Sequence, residues 1–144
     1  MTTPVKKMGY EGLLYYGAAG STAATQITNC RDVKYDNTPV MGDTTVKGSG
    51  SSVPKKTARP VALEASLTWT MLNKSSDTTL TALLAAARTA AAVALRYIPH
   101  SGSTGLDADC YISVSNGAPI GGEQTFEFSV VGFEDVDRDP SFNA

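Results

Sequence analysis

The sequence predicts a mainly β fold with one α-helix: an antiparallel β-sandwich or barrel flanked by a single helix, with a long arm between two strands. Three observations predict it. Apolar and polar side chains alternate with a period of two along residues 61–71, 108–114 and 125–130, the pattern of strands with one buried face. A single stretch, Leu80, Leu83, Leu84 and Ala87, repeats apolar side chains at helical spacing. Residues 37–60 (NTPVMGDTTVKGSGSSVPKKTARP) are thick with Gly, Ser, Thr and Pro and hold only isolated apolar side chains, so they cannot be packed core. A connection that long inside a small domain is usually functional or disordered.

The elements follow in order. Residues 12–16 (GLLYY) form a short apolar strand ahead of a Gly/Ala/Ser/Thr loop, and residues 27–35 (ITNCRDVKY) a β-rich run of imperfect alternation. After the arm comes the clearest strand. Val61, Leu63, Ala65, Leu67, Trp69 and Met71 occupy one face, and Ala62, Glu64, Ser66, Thr68 and Thr70 the other. Ser75, Ser76 and Asp77 offer a helix N-cap with an acid in the first turn, and the Ala-rich run to Ala92 predicts about four turns of helix. Its small residues let it approach a sheet closely. Strands at 92–98 (AVALRYI), 108–114 and 125–130 close the chain. On the last, Phe126 and Phe128 alternate with Thr125, Glu127 and Ser129. Faces of Thr, Ser and Glu opposite apolar faces describe an antiparallel sheet wetted on one side. The core is expected around Leu67, Trp69, Leu83, Phe126 and Phe128.

At 144 residues the chain reads as a single domain, 1–144, large enough to bury a core. Charged residues make up 18% of it, low for a free-standing globule and suited to a surface covered by neighbours. A net charge of −2 argues against nucleic-acid binding by bulk attraction. The charge is unevenly placed. Lys47, Lys55, Lys56 and Arg59 stand against Asp43 in the arm, a local net of +3, whereas Glu134, Asp135, Asp137 and Asp139 give the tail, residues 134–144, a net of −3.

Cys30 and Cys110 are the only cysteines; they read as buried free thiols in a reducing cytoplasm. Lys6 and Lys7 ahead of GYEGLLYYGAAG only faintly resemble a signal peptide, because Glu11 interrupts the apolar run. No stretch reaches the ~20 apolar residues of a membrane helix.

The search for chemistry returns little. His100, the single histidine, lies between a Pro and a Ser-Gly turn, the place of a loop residue and not of a general base. The acidic tail lacks the Gly turn and closing Glu of a calcium loop. GSGSS at 48–52 has no GK[ST] and no helix behind it, so it is no phosphate cradle. Trp69, on an apolar strand face, is a core anchor by default. The reading is a non-enzyme with no cofactor and no metal.

The order of ITNCRDVKYD, the basic arm, LEASLTWTML, one helix, GLDADCYISVSN and EQTFEFSVVGF with a short acidic tail resembles the major tail tube proteins of long-tailed bacteriophages and related tail-like particles, over nearly the whole chain. The resemblance implies a structural virion protein whose hexameric rings stack into the tail tube, the conduit for DNA ejection. It assigns the reach toward the next ring to residues 38–59, with Lys47, Lys55, Lys56 and Arg59 the basic positions. Expected partners are further copies of the chain, the tape-measure, tail terminator and baseplate or distal tail proteins, and passing DNA held without specific binding. The expected location is the virion tail, assembled in the host bacterial cytoplasm and not in a membrane.

Elementary physics fits that role. A basic arm and an acidic tail are two surfaces of opposite sign, as a head-to-tail contact requires. The tail carboxylates Glu134, Asp135, Asp137 and Asp139 are the partner surface named for the arm. If six subunits each lend four strands to a common barrel, a spacing of ~4.8 Å and a tilt near 40° give a wall about 48 Å across and a lumen of roughly 35–40 Å. Glu64, Thr68, Thr70, Thr125, Glu127 and Ser129 are the residues expected to line it, since basic side chains there would hold a passing polyanion. Alternatives are a contractile-system tube, a head–tail connector, and a decoration or immunoglobulin-like binding module.

Overall fold

The computed structural model describes residues 5–46 and 53–144. Its strands are β1 (Leu13–Ala18), β2 (Thr25–Gln26), β3 (Cys30–Asp43), β4 (Ala58–Leu72), β5 (Val93–Ile98), β6 (Leu106–Gly117) and β7 (Thr125–Glu134), with one helix, α1 (Thr78–Thr89), between β4 and β5. The strands join one antiparallel sheet in the order β2-β1-β5-β6-β7-β4-β3. The chain divides into two compact units, a body (residues 1–35 and 66–144) and an arm, Asp36–Ala65. A mainly β fold with one helix and an arm is therefore what forms.

The body's core follows the predicted alternation. Leu67, Trp69 and Met71 on β4, Ala108, Cys110 and Ile112 on β6, and Phe126 and Phe128 on β7 are buried together with Leu83 of α1. Trp69 lies opposite Phe128 across the β4–β7 ladder, and their rings stack with centroids 5.3 Å apart at 11°. A bulge between Tyr111 and Ile112 shifts the β6–β7 register, so the inward phase of β7 passes from Val130 to Phe133, which packs on the core.

Helix α1 starts where the sequence marks it. The Asp77 carboxylate accepts from the amides of Thr79 and Leu80, satisfying donors that a helix start leaves open. Leu80, Leu83 and Ala86 form the buried face, and the helix packs on β6. It ends at Thr89, short of Ala92, because Ala90 turns left-handed (φ 56°) and its amide bonds back to Ala86. That cap conformation is usually left to Gly.

Three expectations need correction. The arm is not an irregular run from 37 to 60: β3 continues to Asp43 and β4 begins at Ala58, because alternate side chains of a hairpin can stay wet while its backbone pairs. The apolar face of β4 is buried only from Leu67 onward, with Val61 67% and Leu63 51% exposed. Finally, the chain end is not a free acidic tail. Ser141 pairs with Asp107 and Ala144 with Gly105 through reciprocal backbone hydrogen bonds of 2.8–3.0 Å, and Phe142 packs edge-on against Phe133, 5.1 Å away. Gly105 is required there, since a Cβ would lie 2.0 Å from the Tyr97 carbonyl oxygen.

Candidate functional site

The polar face of β4, β7 and β6 is a continuous hydroxyl-rich surface. Strand alternation puts Thr68 and Thr70, Ser129, Glu127 and Thr125, and Ser113 and Ser115 outward, and the registers align them in rows. Thr68 faces Ser129, which faces Ser113; Thr70 faces Glu127, which faces Ser115; Thr125 closes a third row with Leu72 and Gly117. The Ser113 and Ser129 hydroxyls share a hydrogen bond of 2.8 Å. Thr68, Thr70, Ser113, Ser115, Glu127 and Ser129, with Asp32 of β3, line a shallow cleft of about 420 Å³. Asp32 adopts a positive φ of 55°, a conformation Asp tolerates better than most residues.

Among the described residues lining the cleft, none is cationic. Its chemistry is hydroxyl groups with two carboxylates, Glu127 and Asp32, which offers hydrogen bonds but no nucleophile–base pair and no anchor for phosphates. Five of the predicted lining positions, Thr68, Thr70, Thr125, Glu127 and Ser129, are thus brought onto one sheet face. The sixth, Glu64, is exposed on the part of β4 that belongs to the arm.

The arm has its own ladder. The Thr44 amide donates to the Thr57 carbonyl at 3.0 Å, the Thr57 amide donates to Thr45 Oγ1 at 2.9 Å, and the Thr45 amide donates to Asp43 Oδ1 at 2.8 Å. This last bond holds the Asp43 carboxyl below its ordinary range. Gly42 lies so close to Val61 that a Cβ would come within 2.7 Å of its methyl group. Lys55, Lys56 and Arg59 are exposed; Lys47 lies outside the described residues.

The tail carboxylates are separated by the fold. Glu134 ends β7 opposite Asp109 and is half-buried, while Asp135, Asp137 and Asp139 are exposed on the turn that follows. Between them Arg138 turns inward. Its Nη1 donates to Asp107 Oδ1 at 2.6 Å and its Nε to Asp109 Oδ1 at 2.9 Å. Burial alone would lower this guanidinium, but the hydrogen bonds to Asp107 and Asp109 and their charges outweigh it and raise it. Asp109 is fully buried and also accepts from the Gly20 amide at 2.8 Å. Sequence reading missed this cluster; the available signal was one arginine inside an acidic run and two aspartates two apart, on the same face of one strand.

Cys30 and Cys110 are both free, the first half-buried and the second buried. His100 sits in the β5–β6 connection with a buried Nδ1 that has no partner among the described residues. Among those residues no group of three or more His, Cys, Asp or Glu could hold a metal ion, and no helix is long and apolar enough to cross a membrane.

Neither a protein-family model nor a curated protein sequence matches the chain. Solved structures do. A chain from the tail of an empty GTA particle, determined with C6 symmetry, superposes with a TM-score of 0.67 at 18% identity, over 96% of this chain and 100% of that one. A chain of the SPP1 tail tube gives 0.62 at 13% identity, over 89% of this chain and 77% of that one. The fold is that of phage tail tube proteins. A chain of the anti-feeding prophage baseplate superposes with a TM-score of 0.54 at 10% identity, over 94% of this chain and 95% of that one. At such identities the likeness lies in backbone arrangement alone.

Proposed function

We propose that this chain is the subunit of a tail tube: copies close into six-membered rings, and the rings stack into a conduit through which DNA leaves a virion. The observation that carries the reading is the end-to-end structural likeness to a chain from a six-fold symmetric tail. The rest of the molecule agrees with it. The sheet ends in two different edges, β2 on one side and β3 on the other, as lateral head-to-tail contacts need, and such contacts give rings when the rotation closes. In this reading the face carrying Thr68, Thr70, Glu127 and Ser129 lines the lumen. Hydroxyls and sparse carboxylates let a polyanion slide, where lysines or arginines would hold its phosphates.

The arm with Lys55, Lys56 and Arg59 reaches the next ring, where the tail carboxylates Asp135, Asp137 and Asp139 are its acidic counterpart. The ends of the tube meet tape-measure, terminator and baseplate proteins, and assembly takes place in the host cytoplasm with the product in the virion tail. No catalytic step and no cofactor belong to this role. The likeness to a baseplate chain favours a second reading, in which the same ring belongs to a tail-like injection particle. The test is electron microscopy of the purified chain over a range of concentration and salt. Rings or tubes with six-fold rotational averages are expected. A chain that stays monomeric throughout, or that closes with another symmetry, overturns the proposal.

A further inference from the structure

The turn that follows β7 holds an apolar side chain in the open on a fixed frame. Val136 is 79% exposed and stands between two exposed carboxylates, Asp135 and Asp137. The turn is pinned on both sides and from within. Glu134 before it pairs with Asp109 and Ser141 after it with Asp107, while Arg138 reaches inward to Asp107 and Asp109. Asp137 packs beside Gly20, whose added Cβ would lie 3.6 Å from the Asp137 Cβ. A loop held at these points has little freedom left to lose on binding, so the side chain it presents is preorganised for burial against a partner. One wet Val by itself is ordinary, but the chain also carries a surface that matches this one.

That surface is a stripe on the arm. Along β4, alternation puts Arg59, Val61 and Leu63 on one face and Glu64 on the other, and all four are exposed. Gly42 of β3 brings no side chain to the stripe, and a Val61 methyl group lies over it. The stripe is therefore apolar with a guanidinium at one end, and Arg59 makes no ion pair among the described residues. The turn is the reverse, an apolar knob between carboxylates. Neighbouring Cα atoms on the turn are ~3.8 Å apart, and Arg59 lies two steps of ~3.3 Å from Val61. A Val136 seated between Val61 and Leu63 thus brings Asp135 or Asp137 within reach of the Arg59 guanidinium. The two surfaces are complementary in burial and in charge. The turn belongs to the body and the stripe to the arm, so the pair is heterologous and can repeat from copy to copy.

We infer that the Val136 turn of one copy seats the arm of a neighbouring copy, with Val136 packed on Val61 and Leu63 and with Asp135 and Asp137 facing Arg59. The contact rests on the tube reading and names where the arm lands. Its test mixes two populations, both in a Cys30→Ser background, one carrying Val136→Cys and the other Val61→Cys. Mild oxidation with copper–phenanthroline should give a disulfide-linked dimer in which peptide mass spectrometry joins position 136 of one chain to position 61 of the other. Val136→Asp changes an exposed site and should leave the melting temperature where it is, but should raise the concentration needed for tubes roughly tenfold or more. Val61→Ser/Leu63→Ser should do the same, and all three changes together should do little more than either set alone. Arg59→Glu should weaken assembly, and Asp137→Arg in the same chain should partly restore it. Absence of the 136–61 link, or tubes from Val136→Asp at the parent's concentration, overturns the docking and leaves the tube reading standing. Parent protein with neither rings nor tubes overturns the tube reading itself, and the docking with it.

Discussion

Arg138 Nε donates to Asp109 Oδ1 across 2.9 Å, and the carboxylate it meets is fully buried. The pair ties the returning chain end to the first part of β6. The Gly20 amide bonds the second oxygen of Asp109, and the Thr22 hydroxyl donates to Asp107, so a loop, a strand and the terminal segment meet on two carboxylates.

The first prediction follows from that geometry. Arg138→Ala leaves a buried carboxylate without its counter-charge and should cost about 3–5 kcal/mol, as breaking one side of a buried pair does. Asp109→Ala should cost a similar amount. The double variant should cost clearly less than the sum, since most of each penalty is the partner left behind. Urea unfolding of the three variants checks this; additive losses would mean that the two side chains contribute independently.

Trp69 provides the second. It is 1% exposed and stacked on Phe128, yet its Nε1–H has no partner among the described residues. Trp69→Ala should cost about 3–5 kcal/mol through the cavity it opens. Trp69→Phe should cost markedly less, because it keeps the stack and removes an unsatisfied donor. As the only tryptophan, its fluorescence should resist acrylamide in the native state; ready quenching would show the indole on the wet face.

These two cases mark what the sequence made legible. Leu67, Trp69, Phe126 and Phe128 alternate with polar neighbours, and period-two patterning depends only on which face is buried, so the core was readable from the residues alone. Val61 and Leu63 carry the same alternation into the arm and are exposed. Periodicity reports a strand's two faces but not whether anything covers the apolar one. Asp109 shows the converse: a polar phase predicts a wet face, but the residue is buried, with Arg138 and the Gly20 loop, both distant in sequence, bonded to it. Thr68, Thr70, Glu127 and Ser129 were assignable to one face by alternation, but their alignment in rows depends on register, and Asp32 joins them through a backbone twist that no local pattern marks.

Cys110 carries the third prediction. Burial first, and then the nearby Asp109 charge, push its thiol up to about 12, against a partial opposing pull from Arg138. The folded value lies above the unfolded one of 9.0, so the protonated thiol favours the fold below pH 9. That advantage is lost as pH rises from there toward 12, at up to about 1.4 kcal/mol per pH unit. The stability difference between the parent and Cys110→Ala should therefore shrink with pH across this window. At pH 8 the native Cys110 thiol should also resist a thiol reagent. A pH-independent difference would show that the thiolate is tolerated inside.

The arm supplies the fourth. Excising residues 45–57 removes the Thr44–Thr57 end of the hairpin and the lysines at 47, 55 and 56, and none of its described residues belongs to the buried core. The variant should melt within about 2–3 °C of the parent, since a change that leaves the core untouched shifts stability little, and it should form no tubes. Normal tubes from the excised chain would show that the arm is dispensable.

The last prediction concerns charge between subunits. Lys55, Lys56 and Arg59 are exposed on the arm, and Asp135, Asp137 and Asp139 on the turn after β7, so any attraction between them is screened over about 8–10 Å at ordinary salt. Tube formation should weaken as salt rises. Reversing Lys55 and Lys56 to Glu should impair it, and reversing Asp135 and Asp137 to Lys in the same chain should partly restore it. The carboxylates of Glu134, Asp107 and Asp109 are left out of the test, because they are half-buried or already paired with Arg138. One exposed pair contributes only ~0–1 kcal/mol, but a ring repeats each contact around its circumference, so small terms add until they decide assembly. Light scattering against salt, with the parent, the two double reversals and the combined chain side by side, reads the outcome. Salt-independent assembly with all four behaving alike would place the driving force in apolar burial, and Val61 and Leu63, exposed on the same arm, would then be its first candidates.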